Sequence, residues 1–182
     1  LQMRIDKSGK LPATALLRAL SGENGDTKSI LKKFYDMVEV DFNTLAEIDA
    51  VKQYTGAILI DEIRDAEKDE ILYAELSELK DTTIKSLKAS GVGKVTLIPK
   101  VKDPLILETV RQELKEYDAN SSDDAALYLY ARLRPSTPSN LDRARELIAE
   151  RFLNGVYYNF GAVGRFRLNR KFNETIPESE IQ

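Results

Sequence analysis

The chain has 182 residues, 42% apolar and 31% charged, with a formal charge of −3, a balance that fits a folded globular protein rather than a disordered or fibrous one. It contains neither cysteine nor histidine, which excludes disulfides, thiolate chemistry, structural zinc and imidazole acid–base catalysis together. No apolar run approaches the roughly 18–20 residues that span a bilayer, and the start LQMRIDKSGK has neither a signal-peptide nor a transit-peptide character, so a cytoplasmic setting is expected.

In chain order, Pro12 precedes the run ALLRAL and predicts a short helix to about Leu20, ended by Ser21-Gly22. Asp26 or Thr27 is placed to cap a second helix bearing Ile30, Leu31, Phe34 and Tyr35, after which Val38, Val40 and Phe42 alternate as in a strand. From residue 44 to residue 99 the texture changes. Short β-like runs, AILI (57–60), ILYA (71–74) and KVTLI (94–98), alternate with charged turns, and one helix is expected, capped by Asp81 or Thr82 and closed by Gly91. Helical periodicity dominates after Pro99, in PLILETVRQELKEY, then in DDAALYLYARL, apolar on nearly every side. A third helix carries Leu141, Ala144, Leu147, Ile148, Phe152 and Leu153, with Ser139 and Asp142 spaced as a capping box. RPSTPSN (134–140) is a proline-bracketed loop that continues neither neighbouring helix. The fold class expected is α+β, mostly helical and interrupted by a small β-rich unit.

The net charge conceals a gradient. Residues 1–20 carry four positive charges against one negative, whereas 21–100 carry eleven against sixteen and 101–150 seven against ten. Residues 151–182 return to five against three, with no carboxylate between Arg151 and Lys171. If the ends meet they form a positive face suited to phosphate; charge alone fits two solvated basic turns equally well. The acidic stretch DEIRDAEKDE (61–70) suggests a Mg²⁺ or Ca²⁺ site by its oxygen ligands, but interleaved Arg64 and Lys68 and the missing loop glycine favour a solvated hairpin. SGVGK (90–94) lacks the spacing of a phosphate loop and reads as a helix-ending turn. The triplets at Asn120 and Asn173 matter as glycosylation signals only in a secreted chain.

Three stretches, in order, resemble the β subunit of bacterial RNA polymerase. RIDKSGKLPAT followed by LLRAL is similar to the family pattern RIDRxxKLPxT with a short leucine-rich helix. ALYLYARLRPSTPSNLDRARELIAERF (126–152) resembles a buried helix, Arg-Pro loop and Glu-rich helix of that family, and YYNFGAVGRFRLNRKF (157–172) its AVGR segment; PLILETVRQE (104–113) agrees with them. Lys7-Ser8-Gly9-Lys10 is less basic than the commoner version, and STPSN lacks the usual acidic residue. The resemblance implies a lobe domain on one jaw of the DNA cleft (1–43 and 100–182) interrupted by a lineage-variable insertion (44–99). It implies nonspecific phosphate contacts through Arg4, Lys7, Lys10, Arg165, Arg167 and Arg170. It also implies a gate loop, Arg134, Pro135, Ser136, Thr137, Pro138, Ser139 and Asn140, that touches NusG-type elongation factors. The other polymerase subunits, DNA and those factors are the partners expected, with no membrane. The parent would be a nucleotidyltransferase whose Mg²⁺ is bound elsewhere; this stretch would hold no catalytic residue, metal or cofactor. The missing initiator methionine and the ending FNETIPESEIQ fit a piece of a longer protein. The alternatives are a freestanding protein–protein adaptor and, more remotely, metal-assisted hydrolysis through Asp61 and Glu62.

Overall fold

A computed structural model of the chain describes residues 1–7, 9–64, 70–156 and 161–177. Short strands β1 (Gln2–Met3) and β2 (Leu11–Pro12) form an antiparallel pair, and α1 (Ala13–Leu20) starts at once, Pro12 fixing its entry. A 3₁₀ turn, Gly22–Asn24, leads to α2 (Thr27–Lys32), where the Asp26 carboxylate takes one of the free first-turn N–H groups by accepting from the Ser29 amide at 2.9 Å. The chain then runs through β3 (Val38–Asp41), α3 (Glu47–Tyr54), β4 (Ile58–Leu59), β5 (Ile63–Arg64), β6 (Ile71–Tyr73), α4 (Asp81–Ala89) and β7 (Lys94–Ile98). Helices α5 (Leu105–Glu113), α6 (Ser122–Leu133) and α7 (Leu141–Ile148) follow, then a π-helical turn, Ala149–Leu153, and α8 (Ala162–Phe172). The class is α+β, as the residue patterns predict.

The central sheet has the order β3-β7-β4, antiparallel throughout, with Val38 opposite Leu97, Asp41 opposite Lys94 and Ile58 opposite Ile98. Successive strand side chains point to opposite faces, and the two faces have different cores. Leu59, Val95 and Leu97 join Phe42, Tyr54, Leu79, Ile84 and Leu87 on the side covered by α3 and α4, where the rings of Phe42 and Tyr54 meet edge to face at 5.8 Å. Ile58, Ile60 and Ile98 instead meet Ile30, Leu31, Leu107 and Val110, from α2 and α5. Burial on both faces explains why AILI is an unbroken apolar run rather than an alternating one.

The helical part has its own cluster, in which Leu11 and Ala15 pack against Ala126, Leu129, Tyr130, Ala144 and Ile148. Helix α1 lies against α6 and α5, and α6 against α7. Where α1, α2 and α5 converge, the guanidinium of Arg18 is fully enclosed and donates to Glu113 Oε1 at 3.0 Å, to the Gly25 carbonyl at 2.7 Å and to Thr27 Oγ1 at 3.4 Å. Tyr117 donates to the same Glu113 carboxylate, which is also 0% exposed. Gly25 is where the backbone of this turn approaches the start of α6. A Cβ there would lie 2.5 Å from the Ser122 amide nitrogen, so no side chain fits.

Several local details differ from the sequence expectation. Residues 44–99 hold two helices, not one: α3 is added, anchored by buried Ala50 and Tyr54, which is too sparse a stripe to show as periodicity. Neither Asp81 nor Thr82 is the N-cap of α4; that position is Lys80, and Asp81, in the first turn, accepts from the Thr55 hydroxyl at 2.6 Å. The capping box at Ser139 and Asp142 does not form, because Asn140 caps α7 by accepting from the Arg143 amide at 3.0 Å. Helix α7 also ends sooner than its apolar spacing suggests, passing at Ala149 into the π turn that leaves Leu153 exposed.

Replacing Glu113 with Leu strands the Arg18 charge in the interior and is expected to cost about 3–5 kcal/mol of unfolding free energy. The double replacement Arg18→Met with Glu113→Leu should recover most of that loss in urea denaturation.

Candidate functional site

The first basic group sits on the β1–β2 hairpin. Arg4, Lys7 and Lys10 are all exposed, and Gly9, at φ +122°, makes the turn a conformation that other residues rarely adopt. Asp6 on this hairpin pairs with Arg151 of the π turn at 3.6 Å, and Ile5 and Phe152 pack against the same helical cluster. The fold therefore does join the basic start of the chain to the beginning of the carboxylate-free segment.

Helix α8 separates the three arginines that the sequence groups together. Arg167 and Arg170 are exposed, as is Lys171, whereas Arg165 is fully buried. At 100° per residue, Arg165 lies roughly 200° around the helix from Arg167 and 140° from Arg170, so the spacing already distinguishes them. Asn173, at φ +56°, ends the helix in the left-handed conformation. The YYNF part of the third matching stretch, 157–160, lies outside the described residues, as does Ser8.

The segment Arg134–Asn140 joins α6 to α7. Arg134, Pro135, Ser136, Pro138, Ser139 and Asn140 are exposed and Thr137 is half-buried. The segment is held at both ends: the Arg134 amide donates to the Tyr130 carbonyl at 2.8 Å, Thr137 N–H donates to the Arg134 carbonyl at 3.0 Å, and Asn140 caps α7.

Beside it lies a feature that residue patterns alone do not reveal. The rings of Tyr117 and Tyr128 stack at 4.3 Å, and the Arg132 guanidinium lies 5.3 Å from the centre of the Tyr128 ring. Both Arg132, at 3.2 Å, and the Tyr128 hydroxyl donate to Glu116. Burial, then the bond to Glu116, pushes the Tyr128 hydroxyl up to about 12; burial and the Glu113 bond push Tyr117 higher still. Both hydroxyls therefore stay protonated donors at neutral pH. The i, i+4 spacing of Tyr128 and Arg132 was the available signal, but Tyr117 reaches the stack only through the tertiary fold.

The acidic stretch forms a hairpin of β5 and β6, with residues 65–69 outside the described residues. Asp61 is 3.1 Å from Lys28, and Glu62 is 2.7 Å from Arg64, so each of these carboxylates is paired with a cation. Burial, then the nearby Glu62 and Asp61 charges, raise the Glu75 carboxyl. Among the described residues no group of three or more His, Cys, Asp or Glu side chains is arranged to hold a metal ion. SGVGK turns out of α4 through Gly91, at φ +64°, into β7. No helix among the described residues is long and apolar enough to cross a membrane.

An α+β module with an exposed basic hairpin, an exposed basic helix and a capped interhelical loop is thus defined, and its residues 94–182 match the family described as RNA polymerase Rpb2, domain 2. DNA-directed RNA polymerase subunit beta of Rhodopirellula baltica is 34% identical over 98% of this chain and 14% of that protein. The Bacteroides thetaiotaomicron subunit is 30% identical over 94% of this chain and 14% of its own length, and that of Chlorokybus atmophyticus 29% over 71% and 12%. The chain belongs to the DNA-directed RNA polymerase subunit beta family. It spans about one seventh of the length of the first two of these relatives.

The Asp26 cap yields a pH test. Burial acts to raise this carboxyl, but the hydrogen bonds from Ser29, together with its own backbone amide and the Arg18 charge, outweigh it and hold the group below the ordinary carboxylate range. Its stabilisation is complete above the unfolded value near 3.8 and is lost as pH falls through the lower folded value. The Asp26→Ala variant should lose about 1 kcal/mol at neutral pH. Its deficit relative to the parent chain should shrink towards pH 2 in urea titrations.

Proposed function

We propose that the chain is the lobe region of an RNA polymerase β subunit and helps to form one wall of the DNA cleft, holding downstream duplex by nonspecific phosphate contacts. The observation that supports this most strongly is the joining, through Asp6 and Arg151, of an exposed basic hairpin to a segment without carboxylates, in a chain whose relatives are named DNA-directed RNA polymerase subunit beta. Arg4, Lys7, Lys10, Arg167 and Arg170 are exposed and suit a phosphate backbone. Arg165 is enclosed, so in this reading it seats α8 and does not reach DNA unless the helix moves.

In the same reading, residues 1–43 and 100–182 are the lobe and 44–99 the insertion. Arg134–Asn140 serves as the contact for a NusG-type elongation factor. Its two prolines and its anchored ends reduce the entropy lost on docking. Chemistry is assigned to other parts of the enzyme, with its Mg²⁺, so that the chain contributes binding and geometry within an assembly of polymerase subunits. The setting that follows is the cytoplasm.

Substituting Arg4, Lys7 and Lys10 with Gln in assembled polymerase should weaken duplex binding alike for all sequences. It should also flatten the dependence of log affinity on log salt by about 0.9 for each phosphate that is no longer neutralised. An unchanged slope would count against the hairpin. Deleting residues 136–139 should abolish the response of elongation rate to a NusG-type factor while leaving factor-free elongation intact; a full response in the deletion variant would remove the loop from the reading.

A further inference from the structure

A cavity of about 540 Å³ opens between the end of α1, the 3₁₀ turn after it, the start of α6 and the end of α7 with its π turn. Its size lies in the range of about 300–1,000 Å³ common to ligand pockets. Ala19, Ala126 and Ile148 line its apolar part, and two large apolar side chains form its lips: Leu20, 40% exposed, and Leu153, 62% exposed. Single exposed leucines are ordinary, but two on the mouth of one apolar cavity form a patch. Leu153 belongs to the π turn, a rare element often found where a helix serves a function.

The sign of the rim restricts what enters. Glu23, Asp26 and Asp123 contribute carboxylates, and the cation among the described lining residues, Arg145, is held by Asp123 through hydrogen bonds of 3.0 and 2.8 Å. The helix start that opens here is already occupied, since the Ser121 hydroxyl accepts from the Asp124 amide at 3.2 Å. Phosphate groups are therefore disfavoured at this face, unlike at the basic hairpin.

We propose that this cavity docks a basic segment of a partner protein, which inserts a large apolar side chain between Leu20 and Leu153 while its Lys or Arg residues meet Glu23 and Asp26. An apolar anchor in a pocket, ringed by complementary charge, is the arrangement that concentrates binding energy at protein interfaces. The cavity does not depend on the polymerase reading for its occupant, because both its apolar lining and its net negative rim belong to the chain itself.

The test uses the 182-residue chain and three fluorescein-labelled hexapeptides followed by anisotropy: Lys-Lys-Leu-Phe-Lys-Lys, its glutamate counterpart, and a version with serines in place of Leu-Phe. The first should bind, the other two at least about tenfold more weakly, and the affinity should fall with added salt. Leu153→Ser should weaken the first peptide about tenfold, because the apolar lip is removed, and Glu23→Lys should weaken it as well. Both residues are exposed, and thermal melts of the variants should match the parent chain. Amide shifts on binding should centre on Gly25, Ala126 and Ile148. Equal binding of the glutamate peptide, unchanged affinity in Leu153→Ser, or shifts centred on residues 134–140 would each overturn the proposal. So would self-association of the chain, seen by sedimentation and abolished by Leu153→Ser, since a second copy would then be the occupant.

Discussion

Arg18 and Glu113 hold together parts of the chain that are far apart in sequence. Enclosing two charges costs several kcal/mol each, and the cost is offset only where almost every donor and acceptor finds a partner. Here the guanidinium bonds to a carboxylate, a carbonyl and a hydroxyl, and the carboxylate also receives Tyr117. The pair fixes α1 against α5 and pins the Gly25 turn, which then has the clearance to meet the start of α6. The hairpin before α1 and the loop after α6 inherit their positions from this arrangement. The surfaces proposed for DNA and for an elongation factor are therefore carried by one braced set of helices.

The sheet unit is joined to this set through a hydrophobic cluster and not through a linker. Ile58, Ile60 and Ile98 project from the sheet onto α2 and α5, while the opposite face is closed by α3 and α4. A body built in this way transmits its orientation to the helices on which it sits. The Lys28 bridge to Asp61 and Thr96 adds a polar tie at the same seam, though an exposed pair of this kind contributes little.

Much of this was legible from the residues. Pro12, Asp26, Gly91 and the apolar runs marked element ends and strands, because each acts within a few positions of itself. The class, six of the eight α-helices among the described residues (all but α3 and α8) and the exposed loop at 134–140 follow from such local rules. The enclosure of Arg18 was not legible: ALLRAL looks like an amphipathic helix with a solvated arginine, and only Glu113, ninety-five positions later, makes its burial tolerable. The same reason hid the Tyr117–Tyr128 stack and the cavity at the end of α1, both assembled from separate elements. Arg165 is a different case, since helical spacing set it apart from Arg167 and Arg170 while composition grouped all three.

In the proposed function the basic hairpin faces DNA within the assembled enzyme. A photo-reactive amino acid at position 7, in polymerase bound to a labelled duplex, tests this directly, with position 52 on exposed α3 as the comparison. Cross-links to DNA from position 7 that fade with salt, and few from position 52, are the expected result. Cross-links from position 7 to protein alone, or equal DNA cross-linking from both positions, would contradict this placement of the hairpin.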